Sequence, residues 1–424
     1  MNEPVRDARA LSCADDYDPN SMPVAKAREV IARFLSPVTA TERLGVRAAL
    51  GRVLAEDMVS PLDVPAHDNS AMDGYAVRFA DLKSDGEVTL KNTGTSFAGV
   101  PFKGAVGAGQ CVRIMTGGVM PAGTDTIVMQ EHARVDGDKI TVGKGQKKNQ
   151  HLRRAGEDLA NGQVALKRGI ALRPADIGLI SSLGIGEVTV YRKLRVAFFS
   201  TGDELVSIGS QPKEGQIFDS NRYTLHGMLT RLGCEVLDMG VVRDEPALLE
   251  KAFRDAASAA DVVITSGGVS VGEADFVKVL LDKLGEVVFW KIAMKPGRPL
   301  AYGKIGTAHF FGLPGNPVSV MVTYYQFVRD ALLRLSGLDP VPLIPTFKVP
   351  CVSSLKKAPG RTEFQRGILE RDLHGTLSVR VTGEQGSGIL RSMSEANCFI
   401  ILQTDQGNVT PGTLVDVQIL EGVI

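Results

Sequence analysis

The stretch VVITSGGVSVGEADF, residues Val262 to Phe276, decides how its surroundings fold. An apolar, β-branched run breaks at Gly267 and Gly268 among small hydroxyl residues, and Asp275 stands where a helical pattern begins. Strand, glycine turn and helix in that order make the repeating unit of an α/β sheet. The unit recurs outward in both directions. RVAFFSTGDEL, from Arg195, has the near-continuous apolar character of a strand buried on both faces. DSNRYTLHGMLTRLG follows as a helix with Leu225, Met228, Leu229 and Leu232 on one face. Then come the strand CEVLDMGVV, the helix PALLEKAFRDAASA, the helix ADFVKVLLDKLG, the strand VVFWKIAM, and HFFGLPGNP leading into the helix VSVMVTYYQFVRDALLRLSG. The pattern predicts a doubly wound, parallel α/β domain over residues 194–338.

Outside that domain the texture changes. Residues 61–154 hold short apolar runs broken by Gly and Pro, which predicts a small β-rich domain. Before it, SMPVAKAREVIARFL reads as an amphipathic helix with Ser21 as its cap. After DPVPLIP, a proline-rich linker, residues 339–424 read as a C-terminal β domain. At 424 residues the chain exceeds one ordinary core, in line with several domains. Its 48 basic and 48 acidic residues balance, so nothing draws it to nucleic acid or an anionic membrane. Cys13, Cys111, Cys234, Cys351 and Cys398 form no CxxC pair and are odd in number, as expected of reduced thiols rather than a disulfide framework. The leader lacks a signal-peptide run and no stretch is long enough to span a bilayer, so a cytoplasmic location is expected. P-loop, GxGxxG and Cys/His metal signatures are absent.

In an open α/β sheet ligands bind beyond the carboxyl ends of the strands, so the residues there are the candidates. They are Ser200, Thr201, Gly202, Asp203 and Glu204; Arg243 and Asp244; Ser266, Gly267, Gly268 and Ser270, with Asp275 beyond; Lys291, Lys295 and Arg298; and Pro314, Asn316 and Pro317, with Asn316 at an N-cap position. Singly, each has a structural explanation: Asp244 and Asp275 can cap helices, the glycines can serve a turn, and the cations can be surface charges. Jointly they make a mixed-charge pocket. Glycine turns and helix N-termini bind oxyanions, whereas carboxylates repel them unless a hard cation such as Mg2+ lies between. The residues therefore predict a phosphorylated ligand over the Gly267–Gly268 turn, with a metal bridging it to Asp and Glu. Upstream, Asp63, Asp68 and Asp73 crowd the stretch PLDVPAHDNSAMDGYAVR, a density that Asx turns alone explain.

Nine stretches in order carry a family resemblance: DNSAMDGYA, RIMTGGVMPAGTDTIVMQE, RRAGED, STGDEL, TSGGVSVGEADF, KIAMKPGRP, GLPGNPVS, GRTEFQRG and GNVTPG. From about Val24 onward the chain resembles the molybdopterin molybdenumtransferase family, which acts in the last step of molybdenum cofactor synthesis and is related to the C-terminal part of gephyrin. The resemblance implies an elongated homodimer of multidomain subunits, with an α/β domain similar to molybdopterin adenylyltransferase. It implies that residues 61–154 are inserted into a discontinuous linker or dimer domain of residues 20–60 and 155–193. The implied reaction takes adenylylated molybdopterin and molybdate, inserts molybdenum into the dithiolene and releases AMP with Mg2+. By motif, the family's functional positions fall on Asp73, Thr116, Asp158, Glu204, Asp244, Asp275, Lys291, Lys295, Arg366 and Ser387. Of these, Glu204, Asp244 and Asp275 are assigned to the metal. Lys291, Lys295 and Arg298 are assigned to phosphate and molybdate oxygens, and Arg366 and Ser387 to an anion pocket across the cleft. The resemblance implies that Asp73 and Thr116 act from the inserted domain of the partner subunit. Gly388 departs from the family pattern, since a glycine there has no side chain to donate. Molybdopterin adenylyltransferase and molybdoenzyme apoproteins are the implied partners. A receptor-clustering scaffold, as in the gephyrin branch, and adenylyl transfer are the alternatives.

Overall fold

The computed structural model describes residues 21–268 and 275–420. The α/β domain has a six-stranded sheet built from β1 (Arg195–Thr201), β2 (Glu235–Val242), β3 (Val262–Ser266), β4 (Gly285–Lys291), β5 (Pro299–Ile305) and β6 (Ala308–Leu313). Their order across the sheet is β2-β1-β3-β6-β5-β4. β1 runs parallel to β2 and β3, and β3 parallel to β6, whereas β5 is antiparallel to both β6 and β4. The expected all-parallel sheet is corrected at β5. Its sequence, PLAYGKI, opens on Pro and carries Gly303, which hides a strand from a propensity reading. Gly303 is required there, because a Cβ would lie 2.0 Å from the Glu286 carbonyl oxygen on β4. Since β4 opposes β5 and β5 opposes β6, β4 still ends on the same rim as the parallel strands.

Alternate side chains of β1 point to opposite layers, which explains its unbroken apolar run. Val196 and Phe198 pack with Leu225 and Leu229 of α1 (Ser220–Arg231). Ala197 and Phe199 pack with Leu249 and Phe253 of α2 (Pro246–Ala259) and Leu281 of α3 (Asp275–Leu284). α4 (Pro317–Thr323) continues through a π-helical turn, Tyr324–Val328, into a last helix, Arg329–Leu335. The helix Val24–Arg33 buries Val24, Ala27, Val30 and Ile31 in the same core as Val196 and Phe198. It thus packs on the α/β domain rather than with the linker residues that follow it. Pro23 occupies its N-cap position without a side-chain hydrogen bond, so Ser21 is not its cap.

The linker region is tied by antiparallel pairs, Thr41–Gly45 with Glu187–Tyr191 and Met58–Val59 with Val164–Leu166. Between them lies a second six-stranded sheet, whose central strands include Gly74–Val77 and Gln110–Ile114. A third sheet forms the C-terminal domain. Its long strand Thr362–Arg371 pairs with Cys398–Leu402 on one side and with Leu377–Val381 on the other. A two-residue strand from the α/β domain, Met294–Lys295, adds to it in parallel.

Candidate active site

A cleft of ≈ 1220 Å³ opens where the carboxyl ends of the α/β strands face a loop of the C-terminal domain. Thr201, Gly202, Asp203, Glu204, Asp244, Ser266, Gly267, Gly268, Lys295, Pro314, Asn316, Pro317 and Ser387, all predicted from the sequence, line it. Its glycine turns are steric requirements. Gly267 has φ +95°, and a Cβ there would lie 2.5 Å from the Thr201 carbonyl oxygen. Gly202, at φ +145°, leaves room for the Glu204 carboxylate, which lies 2.5 Å from where its Cβ would be. The Gly267 N–H, expected to meet an anion, instead donates to the Leu313 carbonyl at 3.1 Å.

The structure adds residues that the sequence reading passed over, Asp219 and Asn221 above all. Asp219 caps α1, its Oδ1 accepting from the Arg222 N–H at 3.1 Å. The Asn221 amide donates to Ser266 Oγ at 2.8 Å and to the Gly315 carbonyl at 2.6 Å, tying α1, β3 and the turn before α4 together. Among the described residues, Asp219 Oδ2, Asn221 Oδ1, Thr201 Oγ1 and Ser200 Oγ are buried without a hydrogen-bond partner. Thr201, Asp219 and Asn221 line the cleft, so three of these otherwise unusual unpaired groups belong to its wall. Leu205, Ile217 and Phe218 supply an apolar stretch of the wall.

The remaining candidates stand elsewhere. Ser200 is fully buried behind the cleft. Lys291 and Arg298 do not line it; their backbones close the β4–β5 connection, where the Ile292 N–H donates to the Arg298 carbonyl at 2.7 Å. Asp275 begins α3, and Ser270 lies outside the described residues. The N-cap of α2 is Glu245, so Asp244 does not cap it. Asn316 holds the N-cap position of α4 but makes no side-chain cap. Instead, the α4 N–H of Val318 donates to the Ser387 carbonyl at 3.1 Å, which joins the two walls of the cleft.

Arg366 differs from its expected role as an anion ligand. It is 1% exposed, its Nε donates to Ser392 Oγ at 2.9 Å, and its Nη2 donates to the Gly386 carbonyl at 2.9 Å. Burial lowers its guanidinium to about 10. It therefore shapes the 385–388 loop from behind, while Gln385, Gly386, Ser387, Gly388 and Leu390 face the cleft.

Asp73 and Thr116 meet on the inserted domain and do not line this cleft. The Thr116 N–H and Oγ1 both donate to Asp73 Oδ1, at 2.7 and 2.8 Å. These two bonds, with Arg113 nearby, hold the Asp73 carboxyl below the usual carboxylate range. Asp63 and Asp68 do not make the expected local turns but tie their stretch to a distant one: Asp63 accepts from the Asn161 N–H and Asp68 from the Ala155 N–H, each at 2.8 Å. Asp158 is exposed, and its N–H donates to the Val64 carbonyl.

The fold and cleft define a multidomain protein with a ligand cleft at the rim of its α/β unit. Residues 22–184 match the region described as "MoeA N-terminal region (domain I and II)", 197–334 the "Probable molybdopterin binding domain", and 348–420 the "MoeA C-terminal region (domain IV)". The chain is 48% identical to a molybdopterin molybdenumtransferase of Haemophilus influenzae, over 93% of this chain and 97% of that one. A molybdopterin molybdenumtransferase of Nostoc is 35% identical, over 90% and 88% of the two chains. The crystal structure of a molybdopterin biosynthesis moeA protein from Pyrococcus horikoshii superposes with a TM-score of 0.82 at 30% identity, covering 94% of this chain and 100% of that one. The chain belongs to the molybdopterin molybdenumtransferase family.

Proposed function

We propose that this chain is a transferase that inserts molybdenum from molybdate into the dithiolene of adenylylated molybdopterin and releases AMP. It acts with Mg2+ as a cytoplasmic homodimer. Among the described residues, no helix is long and apolar enough to cross a membrane. The observation that carries the reading is a polar cleft, walled by Thr201, Asp219, Asn221 and Lys295, at the rim of a domain that matches the probable molybdopterin binding domain.

Asp219 Oδ2 and Asn221 Oδ1 are acceptors and suit the N–H groups of a pterin, while Thr201 Oγ1 can donate to a phosphate. Lys295 supplies a mobile point charge for the oxygens of molybdate or of the phosphoanhydride. Leu205, Ile217 and Phe218 cover the flat face of a heterocycle and keep water from it.

Among the described residues, no three His, Cys, Asp or Glu stand together as a ready-made metal site. Mg2+ does not need one, since it commonly takes one or two carboxylates together with substrate phosphates and waters. Glu204 and Asp244 on the cleft fit that demand and would hold it, with Asp275 in support. Bound there, the ion would offset the charge of the departing AMP phosphate. Asp73 is the wrong group for a general base, because its hydrogen bonds favour the ionised form and leave a weak proton acceptor. In the proposed homodimer the Asp73–Thr116 pair comes from the inserted domain of the other subunit and orients a water or the nucleotide. Molybdopterin adenylyltransferase would supply the substrate, and molybdoenzyme apoproteins would take the product.

The test mixes purified protein with adenylylated molybdopterin, Mg2+ and molybdate, and follows AMP and active cofactor. Molybdate-dependent turnover that disappears in Lys295→Ala and Asp275→Ala supports the reading. Binding without AMP or cofactor under any metal or oxyanion replaces it with a scaffold or carrier role.

A further inference from the structure

We propose that Glu363, on the C-terminal domain, is a positioning residue that aims the Lys295 ammonium into the cleft. Lys295 and Glu363 are direct neighbours in the parallel pairing of Met294–Lys295 with the strand Thr362–Arg371. Lys295 Nζ lies 3.7 Å from Glu363 Oε1, with the lysine side chain 54% exposed and the glutamate side chain 7% exposed. The carboxylate is therefore fixed inside the C-terminal domain, and the mobile partner is the one that faces the ligand. Glu363 Oε2 is held separately, accepting from Gln365 Nε2 at 3.1 Å.

Lys357, also buried, is a second cation near this carboxylate, but its ammonium donates to the Ala358 carbonyl at 2.8 Å and the Gln406 carbonyl at 3.4 Å. Burial lowers the Lys357 ammonium, and Glu363 counters that effect through the field. Backbone carbonyls thus take the Lys357 donors, and Oε1 is left to face Lys295. A lysine is a compact charge on a flexible four-carbon stem, so without a guide it samples many positions over a cleft of this size. A buried carboxylate beside its backbone restricts that sampling, because the carboxylate itself is poorly tolerated without a cation. The pairing also makes the chemistry of the α/β rim depend on the docking of the C-terminal domain.

The inference rests on the transferase reading only for the identity of the oxyanion that Lys295 meets. The experiment uses the full chain with Glu363→Gln and Glu363→Asp and takes two readouts. The first is the rate at which an amine-acylating reagent modifies Lys295, followed by mass spectrometry with the exposed Lys103 as internal control. Release of Lys295 in Glu363→Gln is expected to raise that rate roughly threefold, the scale of a half-exposed ion pair, with Lys103 unchanged. The second is molybdate-dependent turnover, where kcat is expected to fall about tenfold through misplacement of the ammonium. The KM for molybdate is expected to drop, since a positive charge in the cleft is no longer offset. Glu363→Asp, which keeps the charge, restores both readouts in part.

Unchanged Lys295 labelling overturns the proposal, as does a loss of kcat with KM and labelling both unaltered, the mark of a structural joint alone. If Glu363→Gln does not accumulate as folded protein, Glu363→Asp carries the same readouts, its shorter carboxylate giving smaller shifts of the same sign; wild-type values then overturn the proposal. Should the wild-type protein show no molybdate-dependent turnover, the transferase reading falls, and labelling alone decides the role of Glu363.

Discussion

The cleft of the α/β domain and the Asp73–Thr116 pair of the inserted domain are both polar, yet they are built in opposite ways. Around the cleft, Asp219, Asn221, Thr201 and Ser200 each keep a buried atom without a partner among the described residues. On the inserted domain, Thr116 gives Asp73 Oδ1 both its N–H and its hydroxyl. The first arrangement leaves polar atoms without a partner among the described residues, whereas the second is satisfied within the domain and holds an ionised carboxylate at the surface. The cleft thus offers polar groups for a ligand to meet, two of them passed over in the sequence, whereas the Asp73–Thr116 pair presents a fixed charge.

The contrast can be broken most forcefully at Lys295. Lys295→Ala is expected to lower turnover about 100- to 1000-fold, the loss typical of removing one preorganised electrostatic donor. Asp73→Asn is expected to leave turnover within about tenfold of wild type, in keeping with a group that does not transfer the proton. An equal loss in the two variants, measured as AMP release, would show that the two regions act as one unit.

Gly267→Ala tests the steric basis of the cleft. The new methyl would lie 2.5 Å from the Thr201 carbonyl oxygen at φ +95°, so a loss of about 1–3 kcal/mol in urea unfolding is expected. Stabilisation by bound nucleotide should vanish with it. The equivalent change at Gly137, at φ +59° and with no atom within 4 Å, should cost less and leave ligand stabilisation intact.

The smallest effect is expected at Thr116→Val, which removes one of the two hydrogen bonds to Asp73. The Asp73 carboxyl then moves up toward the usual range, since that bond favours the ionised form. A depressed carboxylate contributes stability above its unfolded value and loses it as pH falls through the folded one. The variant should therefore begin to lose this contribution at a higher pH, read as an upward shift of the Asp73 titration by NMR.

Much of this division could be read from the chain, and what could not has physical causes. The β1 and β3 runs and the Gly267–Gly268 turn were legible because burial on both faces and positive φ leave strong marks on residue choice. β5 was not, because its proline and glycine satisfy close strand approach rather than propensity. The helix Val24–Arg33 showed its apolar face but not what that face meets, since periodicity carries no information about the partner. Asp219 and Asn221 looked like the polar start of a helix, and one Asp219 oxygen does serve as a cap. Their functional atoms are the ones left over, a property visible only when all neighbours are in place. Arg366 was found by resemblance, but its contacts place it behind the loop rather than at the ligand.

The strand Thr362–Arg371 has a last consequence. Leu377–Val381 covers its outer side only from Gly367 to Arg371, and Met294–Lys295 of the α/β domain covers Thr362 and Glu363. Excised alone, the C-terminal domain would expose that stretch of unpaired backbone, a template on which further chains can add. The short strand that brings Lys295 to the cleft thus also closes part of the edge of the C-terminal sheet.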